Sequence, residues 1–351
     1  MSKYWTELTH RLTPYVPGEQ RTGDSVVKLN TNENPYPPPA SVLNAIAGTS
    51  PDALRRYPDP ESAELRQTLA DYQHVTPDQV FTGNGSDEIL ALAFMAFFKG
   101  KAPLQFPEIS YSFYPVYCDL LNITADKIPL SPDFTIPLNT YGGKDCGGII
   151  FPNPNAPTAM AVTRDAIERL LQANPNIVVL VDEAYADFGA ESAINLISQY
   201  PNLVVSQTFS KGRSLAGLRL GVAYADTQLI EGLVRVKDSF NSYPVDAVAQ
   251  AAGIASIKDD KYYRETTKKI IATREKTINE LRKRHYRVLE SAANFIFASP
   301  PDNNASDIHT GLDQKNILIR YWNKPVIKDW LRISIGTDKD MQQFFTALDA
   351  L

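Results

Sequence analysis

Lys211 stands in the run Gln207-Thr208-Phe209-Ser210-Lys211-Gly212-Arg213-Ser214-Leu215-Ala216-Gly217-Leu218-Arg219, and upstream lies Val181-Asp182-Glu183-Ala184-Tyr185-Ala186-Asp187-Phe188. A lysine amine forms an imine with an aldehyde once its surroundings lower its affinity for protons. An arginine with nearby hydroxyls, here Arg219, Thr208 and Ser210, holds a phosphate. A carboxylate at the end of a buried strand, here Asp182, is costly without a cation, and it keeps a pyridine nitrogen protonated when one is presented to it. Tyr185, three residues on, is placed to hydrogen-bond a ring oxygen. As a set these residues supply what a bound pyridoxal phosphate requires. Singly they are ordinary: a lone lysine is usually a solvated charge, a strand-end aspartate caps a turn, and a tyrosine packs in a core. The combination and its order carry the reading.

Gly83-Asn84-Gly85-Ser86-Asp87-Glu88 offers a further phosphate contact. The segment follows a strand and opens an apolar helix over 89–98. Its glycines allow a tight turn, Ser86 is expected to cap the helix, and backbone N–H groups at a helix start attract an anion. A dinucleotide site fails on pattern, because the three-glycine fingerprint is absent.

The order and spacing of these motifs resemble the fold-type I aminotransferases that depend on pyridoxal 5'-phosphate, and within them the histidinol-phosphate aminotransferase branch. The resemblance runs from Tyr15 to Gly336. It implies that Gly85, Ser86 and Asp87 cradle the cofactor phosphate, that Lys211 carries the cofactor, and that Asp182 and Tyr185 act on its ring. It implies that Tyr111, in Pro107-Glu108-Ile109-Ser110-Tyr111-Ser112-Phe113-Tyr114, stacks on that ring. It also implies that Tyr57, in Arg56-Tyr57-Pro58-Asp59-Pro60, reaches the cofactor phosphate of the other subunit of a homodimer with shared active sites. One segment departs from the family pattern Asn-Pro-Asn-Asn-Pro-Thr-Gly: the chain reads Asn153-Pro154-Asn155-Ala156-Pro157-Thr158-Ala159, so Asn155 is expected to supply the amide that Ala156 lacks. Tyr15, Arg320 and Arg332 resemble the residues that surround the substrate phosphate in that branch, and two guanidinium forks suit a dianion. The same arginines would take the carboxylates of glutamate and 2-oxoglutarate. The implied reaction moves the amino group of histidinol phosphate to 2-oxoglutarate, a step of histidine biosynthesis. An aromatic amino-acid aminotransferase and a phosphothreonine-type decarboxylase share the scaffold, and cofactor residues do not separate them. A cofactor-sensing regulator would need a DNA-binding module, for which only a short segment precedes the sheet.

The elements that must position these residues are legible in outline. Short apolar runs at Val80–Thr82, Leu104–Phe106, Gly148–Phe151, Ile177–Asp182, Leu203–Thr208 and Leu220–Tyr224 read as strands. Helices are expected to start near Ser41, Ser62, Ser86, Thr163 and Asp246. This alternation predicts an α/β fold, a mostly parallel central sheet with flanking helices. From 246 the pattern changes. A charged stretch from Lys258 to Arg287 predicts a long exposed helix, and Asn294–Ala298, Ile317–Arg320 and Leu331–Ile335 read as strands of a smaller α+β domain. The expected division is an N-terminal arm over 1–40, a large cofactor domain over 41–245 and a small domain over 246–351.

The chain of 351 residues is long enough for two domains. A net charge of −5 gives no ground for nucleic-acid binding. Two cysteines, Cys118 and Cys146, are too few for a disulfide framework or a zinc site and are expected to be free thiols. The longest apolar run, Ile89 to Phe98, is too short to span a bilayer. No metal, membrane or nucleic-acid partner is expected, and a cytoplasmic location is.

Overall fold

The computed structural model describes residues 2–21, 23, 25–302 and 304–351. Seven strands form the central sheet: β1 (Val80–Asn84), β2 (Leu104–Pro107), β3 (Ala125–Ile128), β4 (Gly148–Pro152), β5 (Val179–Asp182), β6 (Leu203–Thr208) and β7 (Leu220–Ala225). Their spatial order is β1-β7-β6-β5-β4-β2-β3. Only β7 runs against its neighbours, and the remaining pairs are parallel. The sequence explains why this sheet is buried on both faces. Along β4 to β7 successive apolar residues feed two cores: Phe151, Val179, Val181, Val205 and Val222 face one, while Ile150, Leu180, Val204 and Ala223 face the other.

Helix starts follow side-chain chemistry. Thr163 accepts the N–H of Ala166 and Asp246 that of Ala249, each capping the helix it precedes. Ser86 does not cap. The helix Gly85–Ala93 begins one residue earlier, so Ser86 lies in its first turn, and Glu88 Oε2 accepts the N–H of Asn84 instead. The stretch from 258 to 287 also differs from expectation. The helix is Asp260–Lys283, separated by Asp259 from a preceding helix Ala247–Lys258. It is not simply exposed: Ile270, Ile278 and Leu281 lie in a core, and buried Arg274 donates to the carbonyls of Phe188 and Ala293. Charge count masked a buried stripe carried by only a few residues. The edge strand β3 was not read from sequence because its Ala-Asp-Lys-Ile alternates poorly and stays half exposed.

The smaller antiparallel sheet comprises β8 (Arg287–Val288), β9 (Phe295–Ser299), β10 (Arg320–Tyr321) and β11 (Leu331–Ser334), in the order β10-β11-β9-β8. The run expected as one strand, Ile317–Arg320, is split. Ile317–Leu318 pairs in parallel with Val27–Lys28 of the N-terminal segment, and after Ile319 the chain crosses to the antiparallel sheet. This crossing sets Arg320 directly opposite Arg332. The N-terminal segment is therefore woven into the small sheet's core through Val27 and Leu29, and Tyr185, Phe188 and Ala156 join that same core from the large sheet. The cleft between the two sheets opens at the carboxyl ends of β2, β4, β5 and β6, where ligands of open α/β sheets bind.

Candidate active site

A cavity of about 420 Å³ fills this cleft, lined by thirty residues that include Lys211, Asp182, Tyr185, Ser86, Asp87, Tyr111, Thr208, Ser210, Arg219, Tyr15, Arg320 and Arg332. Residues separated by up to 317 positions in sequence thus line one cavity.

Asp182 ends β5, and its side chain is almost wholly buried. It accepts a hydrogen bond from the Tyr114 hydroxyl at 2.9 Å and a longer one from the Ala184 N–H at 3.3 Å. Among the described residues no cation lies within ion-pair reach of it. Burial pushes its carboxyl up to about 6, against the two hydrogen bonds. A buried carboxylate without a cation fits a ligand that brings one.

Lys211 follows the end of β6. Its Nζ donates to the Thr31 carbonyl at 2.9 Å. Burial, reinforced by Arg332, lowers its amine to about 8, with Glu33 and Asp87 pulling the other way. An amine with this proton affinity is a usable nucleophile and base.

The phosphate end is built on close backbone approach. Gly85 adopts φ +76°, and a Cβ there would come within 2.7 Å of the Arg219 guanidinium. At Gly221 a Cβ would meet the Gly85 carbonyl carbon at 2.4 Å and the Ser86 nitrogen at 2.5 Å. Glycine at both positions lets β7 lie against the start of the helix, which brings Arg219 over its N–H groups. The Asp87 carboxylate does not itself suit a phosphate. Its Oδ2 accepts from Arg219 at 2.9 Å and its Oδ1 from the Tyr111 hydroxyl at 2.8 Å, so it aims both. Thr208 and Ser210 share a hydroxyl–hydroxyl hydrogen bond at 3.0 Å on the same wall.

Tyr185 accepts a hydrogen bond from Asn32 Nδ2 at 3.1 Å, which leaves its own hydroxyl hydrogen for another acceptor. Asn155 lies off the cavity. Both hydrogens of its amide are committed, to the Ile109 carbonyl at 3.0 Å and to Thr158 Oγ1 at 3.1 Å. Ala156 and Pro157 line the wall there instead, so Asn155 does not make up for the missing amide. The side chain one residue earlier points into the loop.

Arg320 and Arg332 also line the cavity and are a cross-strand pair on β10 and β11. Arg320 donates to the carbonyls of Val16 at 3.2 Å and Pro17 at 3.5 Å, and Arg332 donates to that of Asn30. Arg332 Nε is buried with no partner. Burial, with Arg320 beside it, lowers the Arg332 guanidinium. Both guanidiniums lie over the Trp322 ring, 5.4 Å from its centroid for Arg320 and 5.3 Å for Arg332. Like charges placed opposite each other on one sheet repel, and here nothing acidic separates them among the described residues. Tyr15 lines the cavity too, against Phe113 at 4.9 Å. Tyr57 lies outside this cavity, 82 % exposed and stacked on Tyr243 at 4.6 Å.

Sequence reading missed Tyr114, Asn32 and Trp322. Asn32 lies in a Pro/Asn/Thr-rich stretch with no periodicity to place it, and Tyr114 is one of several aromatics close together in sequence.

The site is that of a pyridoxal-phosphate-dependent aminotransferase: residues 24–348 match the aminotransferase class I and II family, and the chain belongs to it. Curated relatives sharpen the placement. The chain is 53% identical over 348 residues to histidinol-phosphate aminotransferase 1 of Hydrogenovibrio crunogenus, covering 99% of this chain and 98% of that one. It is 49% identical over 354 residues to histidinol-phosphate aminotransferase 1 of Burkholderia pseudomallei, covering 100% and 99%. The fold is similar to that of histidinol-phosphate aminotransferase from Sinorhizobium meliloti, solved in complex with pyridoxal-5'-phosphate, with a TM-score of 0.88 at 24% identity over 99% of this chain and 97% of that one. The residues present fit the cofactor. The cation-free Asp182 suits its ring nitrogen, Lys211 its aldehyde, and Arg219 with the helix start its phosphate.

Proposed function

We propose that the protein is a histidinol-phosphate aminotransferase, moving an amino group from L-histidinol phosphate to 2-oxoglutarate with release of imidazole acetol phosphate and glutamate, in histidine biosynthesis. The observation that carries this reading is the facing pair Arg320 and Arg332 on the small sheet, without an ion-pair partner among the described residues, lining the same cavity as Arg219 of the large sheet. One cation cluster accounts for the cofactor phosphate, and the second asks for another anion, because an unpaired dianion is not buried. The names of the curated relatives agree with a phosphorylated donor.

The bound cofactor supplies an aldehyde that takes up the amino group and a protonated ring that draws electron density from the substrate carbon. The chain supplies the rest. Asp182 holds the ring-nitrogen proton. Lys211, with its lowered proton affinity, removes the proton from the substrate Cα and returns it to the cofactor carbon. Tyr185 donates to the ring oxygen, and Tyr111 stacks on the ring. Gly85, Ser86, Asp87, Thr208, Ser210 and Arg219 hold the cofactor phosphate, Asp87 through its backbone. Arg320 and Arg332, with the Tyr15 hydroxyl, take the substrate phosphate, and in the second half-reaction the carboxylates of 2-oxoglutarate. The active unit in this reading is a cytoplasmic homodimer in which Tyr57 reaches the partner's cofactor phosphate. The exposure of Tyr57 and its stack with Tyr243 support that role.

Specificity constants for histidinol phosphate, histidinol and phenylalanine, measured side by side, test the reading. Histidinol phosphate is expected to be the best donor. Arg320→Ala should reduce it about tenfold to several thousandfold, the effect of about 2–5 kcal/mol from a lost charge-assisted contact, with a smaller loss for the two donors without phosphate. Equal losses, or a preference for phenylalanine, would instead make the protein an aromatic amino-acid aminotransferase.

A further inference from the structure

We propose that Tyr114 is a positioning residue that acts on the cofactor ring through Asp182: its hydroxyl holds that carboxylate in place and keeps the proton between carboxylate and ring nitrogen on the ring. The proposal rests on the reading above in which Asp182 faces the ring nitrogen.

The geometry is specific. Tyr114 lies in the helix Phe113–Leu121 and is fully buried. Its ring is held by Phe106 at 5.9 Å and by Tyr111 at 5.6 Å, both edge to face, and by Phe94 at 6.3 Å. With the ring packed this way, the hydroxyl has one partner, Asp182 Oδ2 at 2.9 Å. Tyr114 is the only side-chain donor to Asp182 among the described residues. The remaining contact is the longer one from the Ala184 N–H.

The chemistry follows from competition for one proton. A buried carboxylate facing a pyridine nitrogen shares a hydrogen between two bases of similar strength. Burial by itself makes Asp182 the stronger base. A hydrogen bond donated to the carboxylate stabilises its charged form and works the other way. Losing a donor to a charged acceptor changes proton affinity by about ten- to a hundredfold, enough to move the shared proton from ring to carboxylate. Burial and the facing carboxylate keep the Tyr114 hydroxyl itself protonated, so it remains a donor. The ring that stacks edge-on against Tyr114 belongs to Tyr111, which lines the cavity, so one aromatic pair sets both the face and the nitrogen of the cofactor.

The test uses the full-length protein loaded with pyridoxal phosphate isotopically labelled at the ring nitrogen, read by nitrogen NMR. In the unaltered protein the nitrogen is expected to be protonated, and in Asp182→Asn neutral. Tyr114→Phe should move the resonance from the protonated toward the neutral position. An unmoved resonance in Tyr114→Phe, with a neutral ring in Asp182→Asn, would overturn the role of Tyr114 alone. A ring still protonated in Asp182→Asn would overturn the assignment of Asp182 beneath it. A second measurement separates this role from packing. Tyr114→Phe should change the affinity for pyridoxal phosphate about tenfold and leave unchanged the affinity for the analogue with carbon in place of the ring nitrogen. Equal changes for both would overturn the proposal. Should Tyr114→Phe not fold, a fluorinated tyrosine at position 114, a stronger donor of nearly the same shape, is expected to keep the nitrogen protonated. A shift toward neutral would overturn the proposal.

Discussion

Two buried charges at the floor of the cavity are set against each other by the same cause. Burial lowers the amine of Lys211 to about 8 and raises the carboxyl of Asp182 to about 6. For Lys211 the consequence is kinetic. Only the neutral amine attacks an aldehyde, so capture of pyridoxal phosphate by the cofactor-free protein should accelerate with pH through about 8 and then level off. Stopped-flow absorbance measures this, and a midpoint near 10 would mean the amine is not desolvated. Lys211→Ala should lose turnover and the borohydride-trappable adduct together. For Asp182 the consequence is thermodynamic. Its folded value lies above that of an unfolded aspartate, so the native state binds more protons between about pH 4 and 6, and stability of the cofactor-free protein falls as pH rises through that window. Such a rise corresponds to roughly 3 kcal/mol at most. The cofactor-free Asp182→Asn variant should therefore be more stable than the unaltered protein by about 1–3 kcal/mol at pH 7, with the difference vanishing below pH 4, while its turnover collapses. Denaturant titrations at two pH values check it; a destabilised variant at pH 7 would show that Asp182 is a structural strand-end residue.

At the scale of elements, the phosphate end depends on how closely β7 approaches the helix Gly85–Ala93. Gly221→Ala places a methyl against the Gly85 backbone, where no flexible side chain can yield. Overpacking of this kind costs about 1–3 kcal/mol. Because it displaces Arg219 from the helix start, cofactor affinity should fall as well, measured by equilibrium dialysis. A stable variant with unchanged affinity would mean that the approach of the two elements is not what aims Arg219. The small sheet makes a matching statement. Two guanidiniums opposite each other on β10 and β11 cost stability until an anion separates them. Inorganic phosphate should therefore raise the melting temperature of the cofactor-loaded protein, and Arg332→Ala should abolish most of that rise.

For the whole molecule, the decisive feature is that neither sheet owns the site. Lys211, Asp182 and Arg219 come from the large sheet, Arg320 and Arg332 from the small one, and Tyr15 from the segment that precedes both. That segment is held in two places, by the pairing of Val27–Lys28 with Ile317–Leu318 and by the carbonyls of Val16 and Pro17 that accept from Arg320. The proposed dimer extends the same principle to a second chain. Lys211→Ala subunits mixed with Tyr57→Phe subunits, each inactive or nearly so alone, should recover part of the activity when heterodimers form, because one of the two sites then combines an intact Lys211 with an intact Tyr57. No recovery on mixing, or an active monomer by sedimentation, would leave Tyr57 as a surface residue.

The sequence by itself determined the class of protein, an aminotransferase of class I and II. The order Asp182, Tyr185, Thr208, Ser210, Lys211, Arg219 sits on strand ends and the turns after them, where local rules hold: alternation and apolar runs place strands, and strand ends place the side chains that follow. The mostly parallel sheet was legible for the same reason. Tertiary structure decided what depends on long-range neighbours. The committed amide of Asn155, the hydroxyl of Tyr114 on Asp182 and the amide of Asn32 on Tyr185 join positions 46, 68 and 153 residues apart. The facing of Arg320 and Arg332 depends on a chain that leaves one sheet for another at Ile319, a choice made by pairing with Val27–Lys28 nearly three hundred residues away. Hydrogen bonds across such separations follow from packing of the whole chain, and no local periodicity encodes them.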